Sequence, residues 1–444
     1  MNKRKRHKFK PFWTENTLKL SQHLWINDDV IHKRSKGSWF SVNEQISIND
    51  IDSPEIIFKS NEKKEVNRLT VIPNKKVNGL LKTRKIRLYP NDEEKRILKE
   101  WMRASTWTYN RALELINSGE SKGITHLKRL CVNKDSVDAR ISSVPYDVRG
   151  DAVIDLLNAI KINENKRFEM KKRKTRCFVV QARKWNTKGG KKYKFLKHIE
   201  TKEPKPEVEH AVRVKLDRLN RFWMCVPVPL ETKTRMSNGI LSIDPGSHTF
   251  LTCYNPRGSV IEIGNNDIQK IRDIQDRCFK YQSIIDTSLG PENKRKRHRL
   301  RNKILKTYKR IRNMIDDSHR KAAKYLCEHH SQILIPDFRT KDMVNKKQRR
   351  INKETTKRLI SWSHRKFLYF LRHKAREYGT NIVECTEEYT SKTCGHCGRL
   401  NDKSSKDFRC DHCDLFVDRD FNGARNILLK HLTENNGFLH PNDC

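Results

Sequence analysis

Four cysteines near the carboxyl end constrain the fold of this chain more than any other feature. Two Cys-x-x-Cys pairs, Cys394 with Cys397 and Cys410 with Cys413, flank a 12-residue spacer. Each pair can form a tight knuckle that presents two thiolates, and two knuckles can close a tetrahedral zinc site. A redox Cys-x-x-Cys motif, which would not need two copies, and an iron–sulfur site are the alternatives. Because four cysteine ligands leave no open coordination position, the prediction is a structural zinc ion.

The charge of the chain indicates a polyanionic partner. Its 444 residues include 95 Lys and Arg against 53 Asp and Glu, which gives a formal net charge of +42. Such an excess repels itself in a compact fold, so we expect a nucleic acid to neutralise it. A chain of this length has room for about two or three domains. We expect no membrane partner, because no apolar run reaches the ~18 residues that span a bilayer.

The first residues, Met1 to Lys8, form a basic run and lack the apolar stretch of a secretory signal. Such a run is typical of a nuclear localisation signal or of a basic arm that binds nucleic acid. We expect a nuclear protein if the source is eukaryotic or viral, and a cytoplasmic protein otherwise. The cysteines outside the two pairs are scattered, which favours a reduced intracellular chain over a disulfide-bonded one.

The amino-terminal half shows a β-domain interrupted by helices. Residues 85–89 alternate like a half-buried strand, and Asn91 followed by Glu94 predicts the start of a helix. A second helical stretch is expected over 148–170. Short β-like runs then follow between residues 177 and 229.

The carboxyl-terminal half alternates strands with helices, which indicates an α/β layer structure. The expected elements are strands at 240–243 and 249–254, a long helical segment at about 267–330 that is broken near Gly290-Pro291, a strand at 333–335, a helix at about 361–378 capped by Gly379, and a strand at 382–383.

Two acidic motifs in this half are the catalytic candidates. Asp244 ends a buried-looking strand, where a charged residue is rare unless it is paired or binds a metal. Taken alone, Asp244 is better explained as a turn residue before Pro-Gly, and Asp420 has an alternative explanation as a helix cap. In a strongly basic chain, the two motifs together predict a hard-cation site for phosphodiester chemistry, with two Mg²⁺ ions held by oxygen ligands.

The order of these motifs resembles the split RuvC nuclease of TnpB proteins. The resemblance runs from about residue 80 to 430. It is carried by the Asp244-Pro-Gly strand, the Tyr-Thr-Ser-Lys-Thr-Cys block from Tyr389 and the Asp-Arg-Asp-Phe-Asn-Gly-Ala-Arg-Asn-Ile run from Asp418. It implies a multidomain α/β protein with a β-barrel-like WED domain, a helical REC insertion and an RNase H-like RuvC domain that contains the zinc ribbon.

The same resemblance implies a set of domain boundaries. They are an amino-terminal extension with a basic head at 1–78, a WED-like β-domain at 79–91 and 174–237, a REC-like helical domain at 92–173, a RuvC domain at 238–390 and 415–444, and a zinc ribbon at 391–414.

One departure from the TnpB pattern concerns the third carboxylate. TnpB nucleases carry a catalytic Glu at the end of the second RuvC strand, where this chain has Pro336. The Fanzor group, the eukaryotic and viral relatives, loses that Glu and has another just before the Tyr-Thr-Ser-Lys-Thr-Cys block. The chain is similar to that group, and Glu387 is the matching residue. Glu384 and Glu388 are close rivals. Asp337 is the fallback, although one step along a strand turns the side chain to the other face.

This resemblance implies an RNA-guided DNA endonuclease. A guide RNA held by the WED and RuvC domains pairs with target double-stranded DNA beside a short motif. Asp244, Glu387 and Asp420 hold the two catalytic Mg²⁺ ions. Arg419 and Lys392 are candidate contacts to the cleaved strand. We expect the protein to act as a monomeric ribonucleoprotein.

A dense basic run begins the second part of the long helical segment, with eleven Lys and Arg in the nineteen residues 294–312. Contact with phosphates explains it, and a solvated helix face is the alternative. The residues predicted to bind nucleic acid are Lys294, Arg295, Lys296, Arg297, Arg299 and Arg301.

Two further hypotheses stay open at this stage. A catalytically inactive RNA-guided DNA-binding protein would follow from the missing Glu at Pro336. An unguided transposase of RNase H-like fold would need no guide RNA.

Overall fold

The computed structural model describes residues 40–45, 80–120, 123–162, 176–186, 193–237, 239–256, 259–338, 340–346, 349, 351–401 and 406–434. They divide between two compact units. One comprises described residues before 71 and from 231 onward, and the other lies within 71–230.

The strands are numbered in chain order. They are β1 (Val42–Gln45), β2 (Leu81–Leu88), β3 (Arg176–Val180), β4 (Val212–Leu216), β5 (Phe222–Pro229), β6 (Gly239–Pro245), β7 (Leu251–Tyr254), β8 (Val260–Ile263), β9 (His330–Pro336), β10 (Asn381–Cys385), β11 (Asp407–Arg409) and β12 (Phe416–Asp418).

The helices are numbered in the same way. They are α1 (Asp92–Asn117), α2 (Ile124–Val132), α3 (Ala139–Ser142), α4 (Tyr146–Ile162), α5 (Ala182–Asn186), α6 (Lys194–His198), α7 (Ile268–Thr287), α8 (Lys294–His329), α9 (Thr340–Met343), α10 (Lys353–Trp362), α11 (His364–Tyr378) and α12 (Arg419–Glu434). Within the described residues, no helix is long and apolar enough to cross a membrane.

The 71–230 unit is built on a four-stranded antiparallel sheet in the order β2-β5-β4-β3. Alternate residues of these strands, such as Ile86 and Met224, are buried in one core with Trp101 of α1. The predicted capping box of α1 is confirmed, because Asn91 Oδ1 accepts from the backbone N–H of Glu94 at 2.9 Å and the Glu94 carboxylate accepts from that of Asn91 at 2.8 Å.

Two expectations for this unit reach beyond what the structure describes. The four described strands form an open sheet, so a closed WED-type barrel stays a prediction. The second predicted helix is present as α4, whose described part ends at Ile162, and the expected continuation to 170 lies outside the described residues.

The other unit contains a six-stranded mixed sheet in the order β1-β8-β7-β6-β9-β10. Strands β1, β8, β7 and β6 pair antiparallel, whereas β9 pairs parallel with both β6 and β10. The strand β6 therefore lies at the centre. This position explains its nearly continuous apolar sequence, since a central strand covered on both faces has no solvated side.

The two faces of this sheet are covered by different helices. Leu241 and Ile243 pack on the side of α7, α8 and α11, while Ile240 packs on the side of α12. Because side chains alternate along a strand, Ser242 and Asp244 share the α12 face with Ile240. Ser242 Oγ confirms this by donating to the backbone oxygen of Ala424 in α12 at 2.7 Å.

Part of the amino-terminal extension belongs to this sheet. The strand β1 pairs with β8 at the edge, and Asp267 accepts from the backbone N and the Oγ of Ser41 at 2.6 and 2.9 Å. No role was predicted for this segment from its residues. The remainder of the extension, including its basic head, lies outside the described residues.

Most predicted elements of the carboxyl-terminal half are confirmed, and one is wrong. The long helical segment is α7 and α8, broken between residues 287 and 294, and Gly379 ends α11 with a left-handed φ of 65°. The helix predicted at about 361–378 is wrong at its start, because residues 361 and 362 end a separate helix, α10. Ser363, with a left-handed φ of 55°, ends α10, so α11 begins only at His364.

Candidate active site and metal centre

Asp244 lies at the carboxyl end of β6, where its side chain meets the first turns of α12. A Cβ atom added to Gly423 would lie 2.6 Å from Oδ2 of Asp244, closer than carbon and oxygen can approach. Glycine at 423 therefore allows the carboxylate to rest against the helix backbone. This close approach is the physical reason for a glycine inside an otherwise regular helix, where it costs stability.

Asp420 occupies the first turn of α12. The backbone N–H of Asp420 is bonded to Oδ1 of Asp418 at 2.8 Å, so Asp418, and not Asp420, satisfies the start of this helix. The carboxylate of Asp420 accepts from Nη2 and Nε of Arg419 at 2.9 and 3.2 Å. Asp418, and not Asp420, therefore caps this helix. The Asp420 carboxylate is not used as the cap and remains available for another role.

Glu387 completes the group of carboxylates. Burial raises the pKa of Glu387 to about 7, and the negative charge of Asp337 contributes to the rise. Burial also raises the pKa of Asp244 well above its usual value, and the charges of Asp420 and Glu387 raise it further. The negative charges of Asp420 and Glu387 thus act on Asp244, so acidic residues from distant parts of the sequence meet in one partly dehydrated place.

The rivals of Glu387 have different surroundings. Glu384 is exposed and forms an ion pair with Arg372. Glu388 is exposed, as is Asp337, whose charge acts on Glu387. Pro336 pairs with Cys385 between β9 and β10, so the position that is Glu in TnpB nucleases lies one strand away from the Glu387 segment.

The electrostatic balance of this group favours a cation. Asp418 also raises the pKa of Asp244, and Arg419 is the cation that lowers it. Carboxylate oxygens are the ligands that Mg²⁺ prefers. Within the described residues, only the cysteine cluster brings three or more ligand atoms within 4.8 Å of one another, so the carboxylates are more widely spaced than that cluster.

Sequence reasoning missed a further, half-buried acid beside this group. Burial raises the pKa of Glu262 on β8, and the charges of Asp418 and Asp420 raise it further, while Asn265 donates a hydrogen bond to it at 2.9 Å. A charged residue inside the apolar run Val-Ile-Glu-Ile was the available signal.

Sequence reasoning also missed the residues that fix the turn after Asp244. The Nε2 of His364 donates to the backbone oxygen of Gly246 at 3.0 Å, and Nε1 of Trp362 donates to that of Ser247 at 3.1 Å. Both side chains are buried around Phe250. The junction between α10 and α11 therefore holds the Asp-Pro-Gly turn in place.

The four predicted zinc ligands form one cluster. Cys394 Sγ lies 3.7 Å from Cys413 Sγ, and Cys397 Sγ lies 3.6 Å from Cys410 Sγ. Tetrahedral bonds of about 2.3 Å would separate the sulfur atoms by about 3.8 Å. Backbone N–H groups at residues 396 and 412 lie 3.4 Å from the first sulfur of each pair, as a knuckle requires. The geometry fits zinc, and the chain has a zinc-binding cysteine cluster.

The cysteine cluster is joined to the carboxylates by buried polar side chains of α12. This polar face of α12 consists of Asn422, Arg425, Asn426 and Lys430. Asn422 Oδ1 accepts from the backbone N of Gly395 at 2.8 Å, and Arg425 donates to the backbone oxygen of the same glycine. The spacing of 422, 426 and 430 puts them on one side of the helix, which was the sequence signal for this face.

The predicted nucleic-acid-binding residues lie in the first turns of α8. Lys294, Arg295, Lys296, Arg299 and Arg301 are exposed. Arg297 differs, because its guanidinium donates to the backbone oxygens of Ser288 and Gly290 at 2.7 and 2.6 Å. Five of the six predicted residues thus face solvent, and Arg297 fastens the loop between α7 and α8.

Three family models match parts of the chain. They are described as a helix-turn-helix domain at residues 79–119, a probable transposase at 223–347 and a Cas12f1-like TNB domain at 364–427. Among solved structures, a Cas12f1–sgRNA–target DNA complex covers 79% of this chain and 99% of that chain, at 14% identity and a TM-score of 0.49.

Curated relatives cover most of the chain. The putative transposase A625R of Paramecium bursaria Chlorella virus 1 is 28% identical over 81% of this chain and 88% of its own length. The TnpB-like protein L79 of Acanthamoeba polyphaga mimivirus is 26% identical over 83% of this chain and 75% of its own. The CRISPR-associated endodeoxyribonuclease Cas12f1 of Sulfoacidibacillus thermotolerans is 24% identical over 49% of this chain and 52% of its own. These matches identify the chain as a TnpB/Fanzor-type relative.

Proposed function

We propose that this protein is an RNA-guided DNA endonuclease of the Fanzor group, with a two-Mg²⁺ site formed by Asp244, Glu387 and Asp420. The observation that carries the proposal is the convergence of these carboxylates, which raise the pKa of Asp244 together with burial. Such a group is costly without a cation and is stabilised by one. Glu387 supplies the carboxylate that Pro336 cannot.

Two Mg²⁺ ions at this site would supply the Lewis-acid chemistry for in-line hydrolysis of a phosphodiester. The residues of the chain hold the site in shape. Gly423 fixes the Asp244 carboxylate against α12, and Arg419 orients Asp420 through two hydrogen bonds. Lys392, which is exposed, is a candidate contact to the cleaved strand.

The sheet topology supports an RNase H-like RuvC domain. Three antiparallel strands, β8, β7 and β6, are followed by the parallel strands β9 and β10, which is the arrangement of RNase H-like sheets. Asp244 lies at the end of the central strand, where the carboxyl ends of neighbouring strands bring distant residues together. The cysteine cluster would act as a structural zinc ribbon beside this sheet.

Charge supports the nucleic-acid partners. The net charge of +42 and the exposed basic start of α8 suit contact with a phosphate backbone. The affinity of a protein for nucleic acid through such contacts depends strongly on salt concentration. The Cas12f1 relative is named as an endodeoxyribonuclease, which supports DNA cleavage as the proposed reaction. We therefore propose guide RNA and target double-stranded DNA as partners of a monomeric ribonucleoprotein.

The test begins with the RNA that is bound to the purified protein. Sequencing that RNA should give a defined species of uniform length. DNA that matches it should be cleaved in Mg²⁺ by the wild-type complex and only bound by the Asp244→Ala complex. Absence of a defined RNA would favour an unguided transposase, and tight binding without cleavage by the wild type would favour an inactive guided binder.

A further inference from the structure

We infer that the zinc centre sets the positions of Glu387 and Asp420, so that zinc at the cysteines and a divalent cation at the carboxylates bind cooperatively. The inference rests on the proposed function of these carboxylates and concerns how their site is controlled. It follows from the way in which the chain connects each carboxylate to a zinc ligand.

On the first side, a short hydrogen-bonded segment joins Glu387 to Cys394. Thr390 donates from its backbone N and its Oγ1 to the backbone oxygen of Glu387 at 3.3 and 2.8 Å. Thr393 donates in the same way to the backbone oxygen of Tyr389 at 3.0 and 2.9 Å. Cys394 follows directly. A displacement of this cysteine is therefore transmitted to Glu387.

The polar face of α12 holds the same segment from behind. Asn426 is fully buried, and its Nδ2 donates to the backbone oxygens of Thr390 and Thr393, both at 2.8 Å. Lys430 donates to the backbone oxygen of Glu388 at 3.2 Å. These bonds leave little room for Glu387 to move while the segment stays attached to α12.

On the second side, a two-stranded hairpin joins Asp420 to Cys410. The strands β11 and β12 pair Asp407 with Asp418, and the backbone N of Cys410 donates to the oxygen of Leu415 at 3.0 Å in the loop between them. Asp418 in turn accepts from the backbone N of Asp420 at 2.8 Å. The second cysteine pair thus lies at the tip of the hairpin whose base starts α12.

Asp244 is held mainly by the sheet. It lies on β6 between β7 and β9, and its turn is held by His364 and Trp362. The zinc ion therefore orders two of the three carboxylates and leaves the third in place. When one site orders groups that another needs, the two bind cooperatively, and the coupling is reciprocal.

Reciprocity gives a test that does not depend on cleavage. Mn²⁺ binding to full-length, zinc-loaded protein is first measured by electron paramagnetic resonance. The apparent zinc affinity is then measured by competition with a zinc-selective chromogenic chelator, with and without Mg²⁺. We expect Mg²⁺ to raise the zinc affinity of the wild type by about 5-fold to 150-fold, the usual range of coupling between sites. Glu387→Gln and Asp420→Asn should lose this increase.

A matched pair of variants tests the route through α12. Lys430→Met removes the bond to Glu388 and should reduce the increase, whereas Glu434→Gln removes only the 4.0 Å ion pair of Lys430 and should leave it unchanged. A wild type that binds Mn²⁺ but shows the same zinc affinity with and without Mg²⁺ overturns the inference and spares the proposed function. A wild type that binds no Mn²⁺ overturns both.

Discussion

Asp244 and the pair formed by Glu387 and Asp420 are held in place by different parts of one unit. Asp244 belongs to a central strand whose neighbours on both sides are apolar and buried. Glu387 and Asp420 lie on segments next to the cysteine pairs, where the packed core is small. A strand in a large core keeps its position through burial of apolar surface, while a small module relies on metal ligation. The proposed active site would therefore combine a self-supporting half with a zinc-supported half.

The largest effect is expected from a variant that disrupts the zinc-supported half of the site. Cys410→Ser removes one of the four zinc ligands, and structural zinc contributes roughly 10–16 kcal/mol in finger peptides. Hydrogen exchange at 388–395 and 406–418 should rise toward the rate of exposed amides, because these segments lose their anchor. Exchange in β6 and β7 should stay slow. Fast exchange in both regions would show that the two halves are not separate.

The next largest effect is expected from a variant that removes the carboxylate of Asp244, in the self-supporting half. Asp244→Asn should lower the cleavage rate by about 10⁴-fold, the scale seen when one member of a catalytic unit is lost. The melting temperature without added Mg²⁺ should rise, because the substitution removes a charge whose pKa is raised by burial and by Asp420 and Glu387. A lower melting temperature would contradict the repulsion described for this site.

A smaller effect tests the contact between the halves. Gly423→Ala places a methyl group 2.6 Å from Oδ2 of Asp244 and must displace that carboxylate. A displacement near 1 Å costs about 100-fold in rate. Thermal stability should change little, because alanine is the better helix former by about 1 kcal/mol and offsets part of the strain. Cleavage kinetics and a melting curve measure both; an unchanged rate would refute the contact.

The smallest effect concerns the turn that holds Asp244. Burial lowers the pKa of His364 to about 3 and that of His319 to about 4, so both are neutral in the folded protein. Their unfolded forms take up protons below about pH 6.5, so the free energy of unfolding falls as pH drops from 6.5 toward the folded values.

Each such histidine contributes a slope of about 1.4 kcal/mol per pH unit in that window. His364→Gln keeps a side-chain N–H donor for Gly246 and removes one titrating group. Urea denaturation between pH 6.5 and 4.5 gives the free energy of unfolding as a function of pH. For this variant the slope of that free energy against pH should be smaller by about that amount, and the contribution of His319 should remain. An identical slope in variant and wild type would place His364 outside the titrating set.

Local sequence patterns predicted much of the fold. The Asn91 and Glu94 box began α1, alternation located β2, and Gly379 ended α11, because capping and strand periodicity act over a few residues. The pattern failed where a local conformation depends on packing. Ser363 takes a left-handed φ, which serine rarely adopts, and the buried side chains on either side of it hold the turn after Asp244.

The cysteine spacing and the motif order fixed the components of the site before any coordinates. They predicted the four zinc ligands and limited the candidates for the third carboxylate to four residues, because ligand type and spacing are local properties. Only the tertiary structure separated Glu387, which is half-buried and whose charge acts on Asp244, from the exposed and ion-paired Glu384. It also showed that α12 contacts both halves of the site. These facts depend on contacts between strands and helices that are separated by more than a hundred residues in the chain. No short-range sequence pattern specifies such contacts.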